Sequence, residues 1–242
     1  MFRQFKQGIR AVAAVALFAA PPVLAATPLI NVGDKIRFAD APGDNDTGGG
    51  SFNLSVYATT NTNTLKGSFL SFCLERDENM SFGTTFYNVR GISKDVRNGG
   101  VNVSGNGVDP IDIKTAWLYT QFMESPGALN SVGTWASASS ENRATAMQLA
   151  IWKIEQEITS VTQFGSIVNT ASTNLATALI AAAGTSGWTN TGRVFALNMT
   201  TLSGGVAQDQ LYISPVPEPG TYAMLAAGLG LLGWTRRRKT ET

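Results

Sequence analysis

Histidine is missing from this sequence altogether, and cysteine occurs once, at Cys73. The first absence removes Ser-His-acid and Cys-His catalysis together with most zinc sites. The second removes any disulfide within the chain. Charged residues make up only 14% of the chain, and they are unevenly placed. Seven of the 18 basic residues sit near the two ends (Arg3, Lys6, Arg10, Arg236, Arg237, Arg238 and Lys239), which leaves 11 for the rest. Setting aside Glu218 and Glu241 leaves 15 acidic residues, so the body carries about −4. A body of that sign excludes nucleic acid as the expected partner. No apolar run reaches the roughly 20 residues of a full membrane span.

The ends carry targeting signals. Arg3, Lys6 and Arg10 precede an apolar run at residues 11–20, then Pro21 and Pro22 and the small-residue site ending at Ala25. This pattern predicts a secretory signal peptide over 1–25; the competing transmembrane anchor is disfavoured by the shortness of the run. Export would put an unpaired thiol in an oxidising compartment. At the other end Pro217, Glu218 and Pro219 precede an apolar run at 221–234 and the basic end Arg236, Arg237, Arg238 and Lys239. Proline cannot join a helix, so the linker stays extended. Fourteen helical residues span about 21 Å, short of a hydrocarbon core, and the basic end would stay cytoplasmic. The segment 215–242 is similar to the PEP-CTERM sorting tail. A plain tail anchor would share every feature except the Pro-Glu-Pro motif. The resemblance implies recognition by an exosortase-like membrane enzyme of Gram-negative bacteria that make exopolysaccharide. The chain would be held in the membrane through its C-terminal helix before sorting, then reach the cell envelope, outer surface or extracellular matrix.

Between the signals, residues 26–214 read as one exported domain. Ile30, Val32, Ile36 and Phe38 are strand-like, and Phe52, Leu54, Val56 and Ala58 alternate with polar residues. The loop between them, from Asp40 to Gly50, holds Asp44, Asp46, Gly48 and Gly49 spaced like the start of a calcium loop. Ser55 stands where the bidentate Glu is needed, so a solvated turn is the better reading and no metal site is expected. Residues 61–64 read as a turn, 65–75 as a strand carrying Cys73, and 75–79 as a solvated charged connection. A strand over 82–92 and a hairpin around Val101 and Val103 follow. The period then turns helical: one helix opens near Asp109, Pro110 and Asp112 and stops at Ser125, Pro126 and Gly127. A second opens at Ser139, Ser140 and Glu141, and an Ala-rich third runs over 166–183 to Gly184. Val194, Ala196 and Leu197, then Leu211, Tyr212 and Ile213, return to strands. The expected class is α+β, a β-sandwich or barrel with an inserted helical layer.

Within the second helix Met147, Ile151, Ile154 and Ile158 recur at the spacing of a buried face. Gln148 and Trp152 lie one turn apart beside it. Phe72, Cys73, Leu74 and Glu75, followed by Met147, Gln148, Leu149, Ala150, Ile151 and Trp152, resemble the two motifs of the thioester domains of bacterial surface proteins. Glu75 stands where that family more often has Asp or Asn. The resemblance implies a bond between the Cys73 sulfur and the Gln148 side-chain carbonyl, formed with loss of ammonia, with Phe72 and Trp152 shielding it. An amine or hydroxyl of a surface or exopolysaccharide would open that bond. The ordinary role for Trp152 is core packing, and for a lone Cys that of a small buried hydrophobe.

Asp77, Glu78, Glu155 and Glu157 could in principle serve a glycosidase, but Glu155 and Glu157 point to different helix faces and read as solvated. The chain is therefore not expected to be an enzyme, and no cofactor is implied. Its alternative to thioester attachment is a non-reactive structural or carbohydrate-binding protein of a biofilm matrix.

Overall fold

The computed structural model describes residues 27–41, 50–59, 61–78, 80–97, 108–163, 168–216 and 229. The signal segment, most of the Asp40 to Gly50 loop, the Val101 and Val103 hairpin, Pro217, Glu218, Pro219, the basic end and nearly all of the apolar tail lie outside them. Among the described residues no helix is long and apolar enough to cross a membrane.

Strands β1 (Lys35–Asp40), β2 (Phe52–Ala58) and β3 (Asn61–Ser71) form an antiparallel meander. β2 follows the alternation in its sequence: Phe52, Leu54 and Val56 are buried, Asn53 and Ser55 half-buried. The turn expected at 61–64 is instead the start of β3, whose pairing with β2 is irregular around Tyr57. β4 (Tyr87–Ser93) pairs with β1, and β7 (Val194–Thr201) and β8 (Val206–Ile213) complete a six-stranded sheet in the order β3-β2-β1-β4-β7-β8. β5 (Asp95–Arg97) and β6 (Val108–Pro110) make a separate two-stranded ribbon. Pro110 therefore ends a strand rather than opening a helix.

The two edges of the main sheet are joined just past β3. Leu211 N–H donates to Phe72 O and Leu74 N–H to Asp209 O, each at 3.1 Å, which sets Cys73 opposite Gln210. Of the two expected arrangements the chain takes the barrel-like one, and this seam satisfies groups that open edges would leave unpaired. Tyr119 holds the seam from the helical side: its hydroxyl lies 2.8 Å from Leu70 O and 3.2 Å from Leu211 O, while Ser71 Oγ donates to Leu211 O at 2.7 Å.

Among the described residues three α-helices cover the sheet. α1 (Ile113–Glu124) is capped by Asp112, whose side chain accepts from Lys114 N–H. α2 (Ser140–Ile154) is capped by Ser139, and α3 (Thr170–Gly184) by a reciprocal box of Asn169 and Ser172. α2 is the centre of the helical layer, wedged among the sheet, α1 and α3. Every residue from Ala144 to Trp152 is buried, so it is not the one-faced amphipathic helix that its sequence suggests. It also ends earlier. Gln156 turns left-handed, with φ 64°, and Glu157 N–H reaches back to Trp152 O at 2.8 Å, the helix-ending pattern that normally uses glycine. Ile158 is buried all the same.

Candidate functional site

The strand run and the helix singled out in the sequence meet at the seam. Cys73 has its backbone neighbours on one side in β8. Its own N–H and C=O face the other side, where no strand runs, and the Gln148 carboxamide fills that place. Cys73 N–H donates to Gln148 Oε1 at 2.9 Å, and Gln148 Nε2 donates to Cys73 O at 2.8 Å. The side chain of Gln148 thus acts as a one-residue strand partner, and both of its polar atoms are used. Gln210 Nε2 donates to the sulfur at 3.1 Å from across the seam. Cys73 is 2% exposed and Gln148 fully buried. Burial pushes the Cys73 thiol well above its ordinary value, with the neighbouring Glu75 adding in the same direction and the Gln210 hydrogen bond opposing.

The two aromatic candidates divide. Phe72 points to the helical layer, where its ring packs edge-on against Phe122 at 5.0 Å and Tyr119 at 6.5 Å. Trp152 is buried one turn after Gln148 in the core cluster that holds Cys73. A groove of about 890 Å³ runs nearby between the end of β3 and α1, lined by Leu70, Phe122, Trp135 and Arg143 among others, but neither Cys73 nor Gln148 lines it.

The acidic residues overturn the sequence reading most clearly. Glu75, expected in a solvated connection, is 1% exposed, and Glu155 and Glu157, expected at the surface, are buried as well. Glu155 accepts the Asp112 N–H at the start of α1, and burial pushes it up to about 8. Glu157 accepts Arg76 N–H at 3.2 Å. Asp209, unremarked in the sequence, is buried in β8 and accepts from Arg97 N–H, Asn198 Nδ2 and Met199 N–H; burial still pushes it up to about 7. Gln208 Nε2 donates to Glu75 O at 2.5 Å. A signal for this polar layer was present: Gln208, Asp209 and Gln210 are three consecutive polar residues inside an apolar strand, and a strand buried on both faces must place all of them inside.

No curated protein matches the chain. Residues 215–239 match the family model described as the PEP-CTERM protein-sorting motif. That motif implies processing by an exosortase, a membrane enzyme, and with it export and sorting to the cell envelope or surface.

Proposed function

We propose that the sorted protein is a cell-surface or matrix component that forms an internal thioester between Cys73 Sγ and Gln148 Cδ, and that this bond attaches it covalently to an amine or hydroxyl on a neighbouring polymer. The observation that carries the reading is the docking of the Gln148 carboxamide on the residue that bears the sulfur. In the reaction the sulfur attacks Cδ and the C–N bond breaks. The thiol proton leaves with Nε2 as ammonia, and a thioester remains. Cys73 N–H, already on Oε1, supports the negative charge that gathers there during attack. Departure of Nε2 releases only its hydrogen bond to Cys73 O. With the thiol held in its protonated form by burial, the driving factor is the fixed geometry of two packed elements. An external amine would then form an amide with Gln148 Cδ and return the Cys73 thiol. Because both groups are shut off from solvent, the nucleophile needs a local opening of the seam, and until then water is excluded too. The chain acts here as a substrate and an attachment, not as an enzyme, and it uses no cofactor.

A second reading has its own support. Both amide atoms of Gln148 are satisfied as they stand, so the pair could serve a non-reactive matrix protein as a buried strut. Intact mass of freshly prepared protein separates the two. The thioester requires a deficit of one ammonia that Cys73→Ala abolishes, and methylamine must add to the wild type alone. Full mass in the untreated wild type leaves the strut.

A further inference from the structure

Glu75, Glu78 and Asp209 each bring a carboxylate oxygen to within 4.8 Å of the other two. The cluster lies beside the seam, with Glu75 two residues beyond Cys73 and Asp209 one residue before Gln210, and Glu157 adds a fourth acidic side chain close to Glu75. What marks it out from an ordinary acidic patch is Glu75. Its side chain is buried, and its carboxyl finds only the Glu78 carboxyl within hydrogen-bonding reach, an acid against an acid with no donor from any other group on the Glu75 oxygens or on Glu78 Oε2. Among the described residues no Lys or Arg pairs with any of the three. A buried carboxylate without donors or a cation is strongly disfavoured, so something must neutralise it. Protons are one candidate, and burial does raise the affinity of Glu75 and Glu78 for them. A cation is the other.

We propose that Glu75, Glu78 and Asp209 form a binding site for one calcium ion. The donors are all hard oxygens, the preference of calcium and magnesium rather than of zinc or copper. Calcium holds its oxygens at about 2.4 Å, so two ligands of one ion lie up to about 5 Å apart, which accommodates the spacing here. Magnesium demands a near-ideal octahedron and gives up its waters reluctantly, so a site built from three protein carboxylates suits it less. Asp209 is oriented by its three donors, and the Glu75 backbone is pinned by Gln208. Glu78 is half-buried and provides the open side, where waters complete the shell. The ion would clamp the end of β3 to β8, the place where the sheet closes.

The test uses the full chain in detergent, stripped with a chelator and then titrated with calcium chloride. Calorimetry should find one ion per chain, and the melting temperature should rise by several degrees as the site fills, with magnesium less effective. Glu78→Gln, at the half-buried rim of the cluster, should abolish both responses. Asp46→Asn, in the loop that resembles a calcium loop, should leave them intact. Cys73→Ala should also bind calcium, which keeps this site separable from the thioester. Absence of binding to the wild type, retention of binding in Glu78→Gln, or its loss in Asp46→Asn overturns the proposal.

Discussion

The Gln148 side chain occupies the position of a missing strand beside Cys73, with its oxygen on the Cys73 N–H at 2.9 Å and its nitrogen on the Cys73 C=O at 2.8 Å. The two residues are therefore unequal in what their loss exposes. Gln148→Ala leaves a buried N–H and a buried C=O unpaired and opens a hole in the core, a cost of roughly 2–5 kcal/mol. Cys73→Ala keeps every backbone bond but takes away the sulfur that accepts from buried Gln210 Nε2, a smaller cost of roughly 1–3 kcal/mol. Urea unfolding of the reduced, non-crosslinked protein should rank them in that order; equal losses would mean that the backbone pairing is unimportant.

Tyr119 is buried beneath the seam, with its hydroxyl against the carbonyls of Leu70 and Leu211. Tyr119→Phe keeps the ring and its packing on Phe72 but removes the hydroxyl from Leu70 O and leaves Leu211 O with Ser71 Oγ alone. The expected loss is about 0.5–1.5 kcal/mol. It should appear as lost hydrogen-exchange protection at the seam N–H groups of Leu74 and Leu211, not across the whole sheet.

Glu155 supplies a pH dependence. Its folded value of about 8 lies above the ~4.3 of an unfolded glutamate. Between those values the folded protein keeps a proton that the unfolded chain has released. This contribution is complete below the unfolded value and is lost as pH rises through the folded one. Stability should therefore decline from pH 5 toward pH 8, by up to roughly 1.4 kcal/mol per pH unit for this one proton. Glu155→Gln mimics the protonated acid and should flatten the slope by that amount. An unchanged slope would mean that Glu155 is ionised in the folded protein.

Gln156 ends α2 in a left-handed conformation with its side chain exposed. Glycine adopts that conformation without the Cβ clash, so Gln156→Gly should stabilise the protein by roughly 0.5–1 kcal/mol in thermal unfolding. Destabilisation would mean that the Gln156 side chain contributes more than its exposure implies.

The sorting motif is separable from all of this chemistry. Replacing Pro217, Glu218 and Pro219 with alanine should leave folding and the mass of the body unchanged while the chain stays unprocessed in the membrane of an exosortase-bearing host. Membrane fractionation reads the outcome, and normal processing of the variant would remove these residues from the recognition site.

The α+β class, the succession of strands, helices and strands, the helix start at Ser139 and the sorting tail were determined by the sequence itself. Each depends on local spacing, on capping chemistry, or on residues that act in an extended segment. The pairing of Cys73 with Gln148 could be suspected from two motifs 75 positions apart, but their contact depends on the closure of the sheet, which no local period encodes. The fates of Glu75, Glu155 and Glu157 were decided only by the tertiary structure, and so were the partners of Asp209, whose burial its place between Gln208 and Gln210 in an apolar strand already signalled. A carboxylate reads as solvated in any local window. It becomes buried here because α2 is enclosed on every side and β8 is covered on both faces, and that depends on what packs against them from far along the chain.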